Sequence, residues 1–280
     1  KYRAMTATDF ATRASINGHT QLVVILAHPI GHVRTPSEMN RHFAHIGRDA
    51  VLVPMQVRPE DLTQVVAALK LMPNLGGIVV TVPHKEKILA LCDHLTEAAS
   101  LVGAVNVIRR EHDGSLTGGQ FDGEGFVAGL RAAGHAVKGK QVWMVGAGGA
   151  AAGIGYALLR HGVAGLTLHN RTRAKAERLI TRLRAALPDA PLRIGSADPA
   201  GHEIVVNATS LGLHPEDALP VAPDLLMPGM LAAEVVMNPD QTAFLRAAAA
   251  RGCATHKGLP MLLEQIPILA DFVTRASTTP

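Results

Sequence analysis

The stretch QVWMVGAGGAA, residues 141–151, decides the reading of this chain. An apolar, β-branched run stops at Gly146, and small residues then lead into a helix expected to reach about His161. In the pattern Gly146-x-Gly148-x-x-Ala151, the first glycine permits a tight turn and the second lets backbone approach a pyrophosphate. Ala151 allows close helix–strand packing. Gly149 and Ala150 complete the loop, and the N-terminus of the helix offers free N–H groups and positive dipole to phosphate. Strand, loop, helix and the next strand at Leu166-Thr-Leu-His169 together predict a Rossmann-type dinucleotide-binding unit.

The end of that next strand selects the cofactor. An NAD site would place Asp or Glu there to accept from the ribose 2′-OH. This chain has Asn170-Arg171-Thr172-Arg173, with Lys175 beyond. A carboxylate would repel a 2′-phosphate, whereas guanidinium forks pair with it. Cations at a helix start also oppose its dipole, which makes a purely solvated role awkward. The expected cofactor is NADP, held chiefly by Arg171 and Arg173.

Further upstream, strands are expected at residues 21–26, 50–55 and 77–82. A helix starts near Pro36, and another is opened by Pro59-Glu-Asp-Leu62. Residues 105–118 read as a hairpin closing this first unit. Downstream of the glycine loop, a helix over 173–187 and strands at 203–207, 231–236 and 253–255 are expected. A last helix over 260–274 carries Pro267, which should kink it. The fold class is α/β: an N-terminal αβ substrate-binding domain with a largely parallel sheet, plus the Rossmann-type domain. The expected boundaries are 1–121, with a C-terminal helix 257–280 returning to it, and 122–256.

Bulk properties exclude several classes. The chain has 280 residues, 48% hydrophobic content, 3% aromatics and a net charge of +4, with its basic residues scattered. No basic run interleaved with aromatics suggests nucleic acid. Two cysteines suit a reducing compartment, and a cytoplasmic protein, monomer or homodimer, is expected. Met5 is the expected natural start, with no signal-peptide h-region and no apolar run long enough for a membrane. His28 and His32 are separated by Pro29 and Gly31, and His42 with His45 lacks a third ligand, so no metal site is expected.

Interconversion of a hydroxyl and a ketone needs a proton donor in one direction and a base in the other. Lys85, closing GIVVTVPHKE at residues 77–86, could serve if partly buried or oriented by a carboxylate. Asp122, after the hairpin, is the best-placed carboxylate. Spacing alone leaves Lys85 readable as a solvated charge and Asp122 as an N-cap.

The ordered motifs Val82-Pro-His-Lys85, Gly103-Ala-Val-Asn106, Asp122-Gly, Gly146-Ala-Gly-Gly-Ala-Ala151, Asn170-Arg-Thr, Asn207-Ala-Thr-Ser210, Asn238-Pro and Gly258-Leu-Pro-Met-Leu-Leu-Glu-Gln265 resemble the shikimate dehydrogenase family. The resemblance runs from about residue 15 to the C-terminus. It implies a substrate domain, an NADP domain and a returning last helix. It further implies reduction of 3-dehydroshikimate with NADPH, or handling of quinate, in aromatic amino acid biosynthesis. On it, Lys85 and Asp122 form the catalytic pair. Thr81, Asn106 and Gln265 bind ring hydroxyls, and Thr209, Ser210 and Gly258 lie near the nicotinamide half.

The chain departs from the family at recognition positions. Two serines that hold the substrate carboxylate are replaced by Val33 and Thr35, and a tyrosine by Met237. Val79 replaces an asparagine, and Gln120-Phe121 an Asn-Thr pair. Losing two hydroxyl donors at about 1.5–3 kcal/mol each would weaken recognition of a carboxylate by roughly two to four orders of magnitude. Arg34 is the candidate replacement. The expected substrate is therefore a small hydroxylated cyclic compound, with weak activity on shikimate itself. The competing expectation is a non-catalytic NADP(H)-binding sensor, against which the retained Lys85, Asp122 and Gln265 argue.

Overall fold

The computed structural model describes residues 16–31 and 33–274; Met5 and His32 lie outside them. The chain divides into two compact units. The first takes the described residues up to Leu95, then Val105–Gly119, then those from Ile266 onward; the second takes Thr96–Ala104 and Gln120–Gln265.

The first unit contains β1 (Gln21–Ala27), α1 (Thr35–His45), β2 (Ala50–Gln56), α2 (Leu62–Lys70), β3 (Leu75–Val80), β4 (His94–Leu95), β5 (Val107–Arg110) and β6 (Leu116–Gly119). Its sheet runs β2-β1-β3-β5-β6-β4. β2, β1 and β3 are parallel, and the hairpin of β5 and β6 adds antiparallel pairing. All of β3 and the last five residues of β1 are buried, which is why both read as unbroken apolar runs rather than alternating ones. Two boundaries differ from expectation. Pro59–Asp61 forms a turn and α2 begins at Leu62, because Asp61 N–H bonds to the Arg58 carbonyl at 3.0 Å in a tight loop. β3 ends at Val80, since His84 N–H folds back onto the Thr81 carbonyl at 2.9 Å.

The second unit contains α3 (Glu97–Val102), α4 (Asp122–Ala132), β7 (Gln141–Val145), α5 (Gly149–Arg160), β8 (Gly165–His169), α6 (Arg173–Ala186), β9 (Leu192–Ile194), β10 (Ile204–Asn207), β11 (Leu231–Glu234), α7 (Ala243–Ala250) and β12 (Ala254–His256). α8 (Leu259–Thr274) follows, with Pro267 inside it; its residues through Gln265 belong here and the rest to the first unit. All six strands are parallel, in the order β9-β8-β7-β10-β11-β12. Counted along the chain, that is the 3-2-1-4-5-6 order of a dinucleotide-binding sheet, with its switch point between β7 and β10.

Alternation along these strands builds two cores. Val142, Met144, Leu166, Leu168 and Val206 pack on one face with Ile154, Leu158 and Phe126. Trp143, Val145, Val205 and Ala232 pack on the other with Phe244 and Leu245 of α7. Among the described residues no helix is long and apolar enough to cross a membrane.

Candidate active and cofactor site

In the first unit, backbone hydrogen bonds gather the segments that carry Thr81, Lys85 and Asn106. Thr81 N–H donates to Leu26 of β1 at 3.1 Å, and Val80 N–H to the Asn106 carbonyl at 2.8 Å. The Lys85 carbonyl accepts from Val105 N–H at 2.8 Å, so the lysine turn is tied to the chain entering β5. His84 anchors the same turn. It is fully buried, its Nε2 lies 2.9 Å from the Val57 carbonyl, and burial lowers its tendency to protonate. Lys85 is half-buried and Asn106 buried. Thr35, the first residue of α1, is buried; Val33 is half-buried; Arg34 is exposed at the N-cap of that helix. Val79 is buried within β3.

In the second unit, Asp122 opens α4 but does not cap it: the N-cap is Phe121, and the carboxylate is buried. Two carboxamides hold it, one on each oxygen. Gln120 Nε2 donates to Oδ2 at 2.9 Å, and Gln265 Nε2 of α8 donates to Oδ1 at 3.1 Å. Gln120 Oε1 also accepts from the Asp122 backbone N–H at 2.6 Å. Donors on both oxygens fix the plane of the carboxylate. Motif reasoning named Gln120 only as a departure from the family pattern and missed its hold on Asp122. Its signal was present as a polar side chain two residues before an acid at a helix start.

The carboxyl ends of β7, β8, β10, β11 and β12 carry the remaining candidates. Gly146 adopts φ +126°, and a Cβ there would lie 2.6 Å from the Ala208 carbonyl oxygen, so only glycine lets the loop after β7 pass β10. Around Gly148 and Gly149 an added Cβ would meet nothing within 4 Å, leaving open space in front of the α5 N-terminus, which Ala150 and Ala151 continue. At the end of β8, Asn170 Nδ2 donates to the Thr172 carbonyl at 2.9 Å and shapes the turn. Arg171, Thr172 and Arg173 are exposed there, with Arg173 bonded to Glu177 at 2.9 Å. Open space at a helix N-terminus and an exposed guanidinium one strand away suit a phosphorylated dinucleotide.

After β10, Thr209 Oγ1 donates to Asn207 Oδ1 at 2.6 Å, and Ser210 is exposed. After β11 comes half-buried Met237. Gly258, after β12, is pressed so closely on that segment that a Cβ would lie 2.3 Å from the Val236 carbonyl oxygen. Met237 and Gly258 thus flank one peptide, whereas Val33 and Thr35 belong to the other unit.

A glycine-loop sheet with a basic strand end defines a dinucleotide-binding α/β protein. Residues 25–108 match the family model of the shikimate dehydrogenase substrate binding domain, and residues 130–211 that of shikimate / quinate 5-dehydrogenase. A shikimate dehydrogenase (NADP(+)) from Rubrobacter xylanophilus is 43% identical over 255 residues, covering 89% of each chain. The crystal structure of a Listeria monocytogenes shikimate 5-dehydrogenase with shikimate and NAD matches at a TM-score of 0.85 and 34% identity, over 93% of each chain. A 5-ketofructose reductase of a Gluconobacter species matches at 0.80 and 33%, over 92% of this chain and 94% of that one. The chain belongs to the shikimate dehydrogenase family.

Proposed function

We propose that this protein is an NADP-dependent oxidoreductase that interconverts a ring hydroxyl and a ketone. Its substrate is shikimate/3-dehydroshikimate or a related hydroxylated cyclic compound. The observation that carries this reading is the carboxylate of Asp122 held by Gln120 and Gln265, in a chain whose second sheet has the dinucleotide-binding order. Bound NADP would take or give the hydride. Gly146, Gly148 and the α5 N-terminus would hold its pyrophosphate, and Arg171 and Arg173 its 2′-phosphate. Lys85 and Asp122 act as the acid/base pair at the substrate oxygen, with Asp122 oriented by its two amide donors. Thr81, Asn106 and Gln265 hydrogen-bond ring hydroxyls. The working division is a substrate-binding part, 1–121 with 257–280, and a cofactor part, 122–256, in a cytoplasmic monomer or homodimer.

Val33, Val79 and Met237 point to a substrate whose carboxylate is altered or missing. A structural neighbour named for a keto sugar, which has no carboxylate, supports that direction. The relatives reported above are named as dehydrogenases and reductases, and none favours a non-catalytic sensor. The test is a panel of shikimate, quinate and carboxylate-free polyols read at the NADPH absorbance band, run on the wild type and Lys85→Ala. The variant should lose turnover while still binding NADPH. Turnover of shikimate with a micromolar-range Michaelis constant would sink the altered-substrate idea, and turnover by Lys85→Ala would sink the acid/base assignment.

A further inference from the structure

One fully buried carboxylate has no part in the chemistry above. Glu234 is the last residue of β11 and the register partner of Asn207, the last residue of β10. Its Oε1 accepts from Asn207 Nδ2 at 3.0 Å and from the Val235 and Val236 backbone N–H groups, each at 3.1 Å. Its Oε2 accepts from Thr242 Oγ1 at 3.0 Å. Burial raises its affinity for a proton, and the four donors oppose that.

The network extends to both sides. Asn207 Oδ1 accepts from the Thr209 N–H at 3.1 Å and from its hydroxyl, while Asn207 Nδ2 also donates to the Leu211 carbonyl at 2.9 Å. On the other side, Val236, whose N–H Glu234 holds, carries the carbonyl against which Gly258 is packed. One carboxylate therefore sets the spacing of the loops that follow β10 and β11, and through Val236 that of the segment after β12.

Strand order says which part of a cofactor those loops meet. With the glycine loop after β7 and the arginine turn after β8, the adenosine half lies toward β8. The other half must run past the switch point, over β10, β11 and β12. We infer that Glu234, together with Asn207 and Thr242, is the positioning group for the nicotinamide half of the cofactor site. This rests on the NADP reading above.

Two ligands separate the halves. Adenosine 2′,5′-bisphosphate probes the β8 side alone, and NADPH probes both; calorimetry and nicotinamide fluorescence read them without any substrate. In Glu234→Leu, NADPH affinity should fall about 10-fold while adenosine 2′,5′-bisphosphate holds within about 2-fold, with the nicotinamide emission altered. Thr242→Val, which removes one bond to Glu234 and the cap bond from Leu245 N–H at the start of α7, gives the same split on a smaller scale and decides the matter if the leucine variant fails to fold. Glu234→Gln keeps an acceptor for the amides and can donate to the Thr242 hydroxyl, so it should stay near wild type. Unchanged NADPH affinity and emission in the first two variants, or an equal loss of both ligands, would overturn the inference. Failure of the wild type to bind adenosine 2′,5′-bisphosphate would instead overturn the NADP reading itself.

Discussion

Gln120 grips Asp122 at two points, accepting from its backbone N–H at 2.6 Å and donating to its carboxylate at 2.9 Å. The first bond serves the start of α4, and the second serves the carboxylate. Gln120→Ala should lower turnover roughly 10- to 100-fold, the cost of letting a catalytic group drift by a fraction of an ångström to an ångström. Cofactor affinity should not change. The check is steady-state kinetics beside NADPH titration; equal losses in both would assign Gln120 to folding alone.

The two arginines after β8 should not contribute equally. Arg173 is shared with Glu177 in an exposed i,i+4 pair, whereas among the described residues Arg171 has no acidic partner to compete with a phosphate. Arg171→Ala should reduce the preference for NADP over NAD by about 10- to 100-fold, from the 1.5–3 kcal/mol of one charge-assisted bond. Arg173→Ala should cost less. Ratios of kcat/KM for the two cofactors settle the ranking.

His256 makes stability depend on acidity. Burial, with a smaller repulsion from His135, holds its imidazole down to about 4, against an ordinary 6.5. The ring is buried, packed edge-on against Phe126 and His135. Between those values the unfolded chain binds a proton that the folded chain does not, so stability rises with pH across the window and falls on acidification. The loss from pH 7 to about 4 is on the order of 2 kcal/mol. Thermal melts across this range should show it, and His256→Leu should flatten the slope.

Gly146→Ala would place a methyl group on the Ala208 carbonyl in a backbone conformation closed to alanine. A cost of about 1–3 kcal/mol in stability is expected. Loss of NADPH binding should accompany it, read by calorimetry, because the loop before α5 would have to move.

The parts of the fold that rest on long apolar runs or a glycine loop were legible in the sequence. β1, β3 and β7 are buried runs, and the turn at Gly146 has one physical use in that setting. Short elements escaped: β9 has three residues, and β4, which pairs with β6, has two. α3 was overlooked because its signals, a Thr96 cap and Gly103 in the left-handed region, bracket only six residues. In the site, Lys85 and Asp122 stood out by chemistry, and the family order singled them out. Gln120 and Glu234 did not, because a buried polar residue declares its role only through partners that the chain brings near. Gln265, for instance, reaches Asp122 across 143 residues of sequence.

The first unit closes on the last helix. Gly77 in β3 lies so near Val273 that an added Cβ would come within 2.7 Å of it, and the Arg109 guanidinium sits 4.9 Å above the ring of Phe272. A ribosome releasing this chain therefore exposes the N-terminal sheet long before the residues that cover it exist. The second unit has its own strands and cores in hand by Gln265. Synthesis should thus yield the later-encoded unit in finished form first, with the earlier-encoded one waiting on the final turns of α8. Proteases that trim the C-terminus would undo the sheet at the opposite end of the chain.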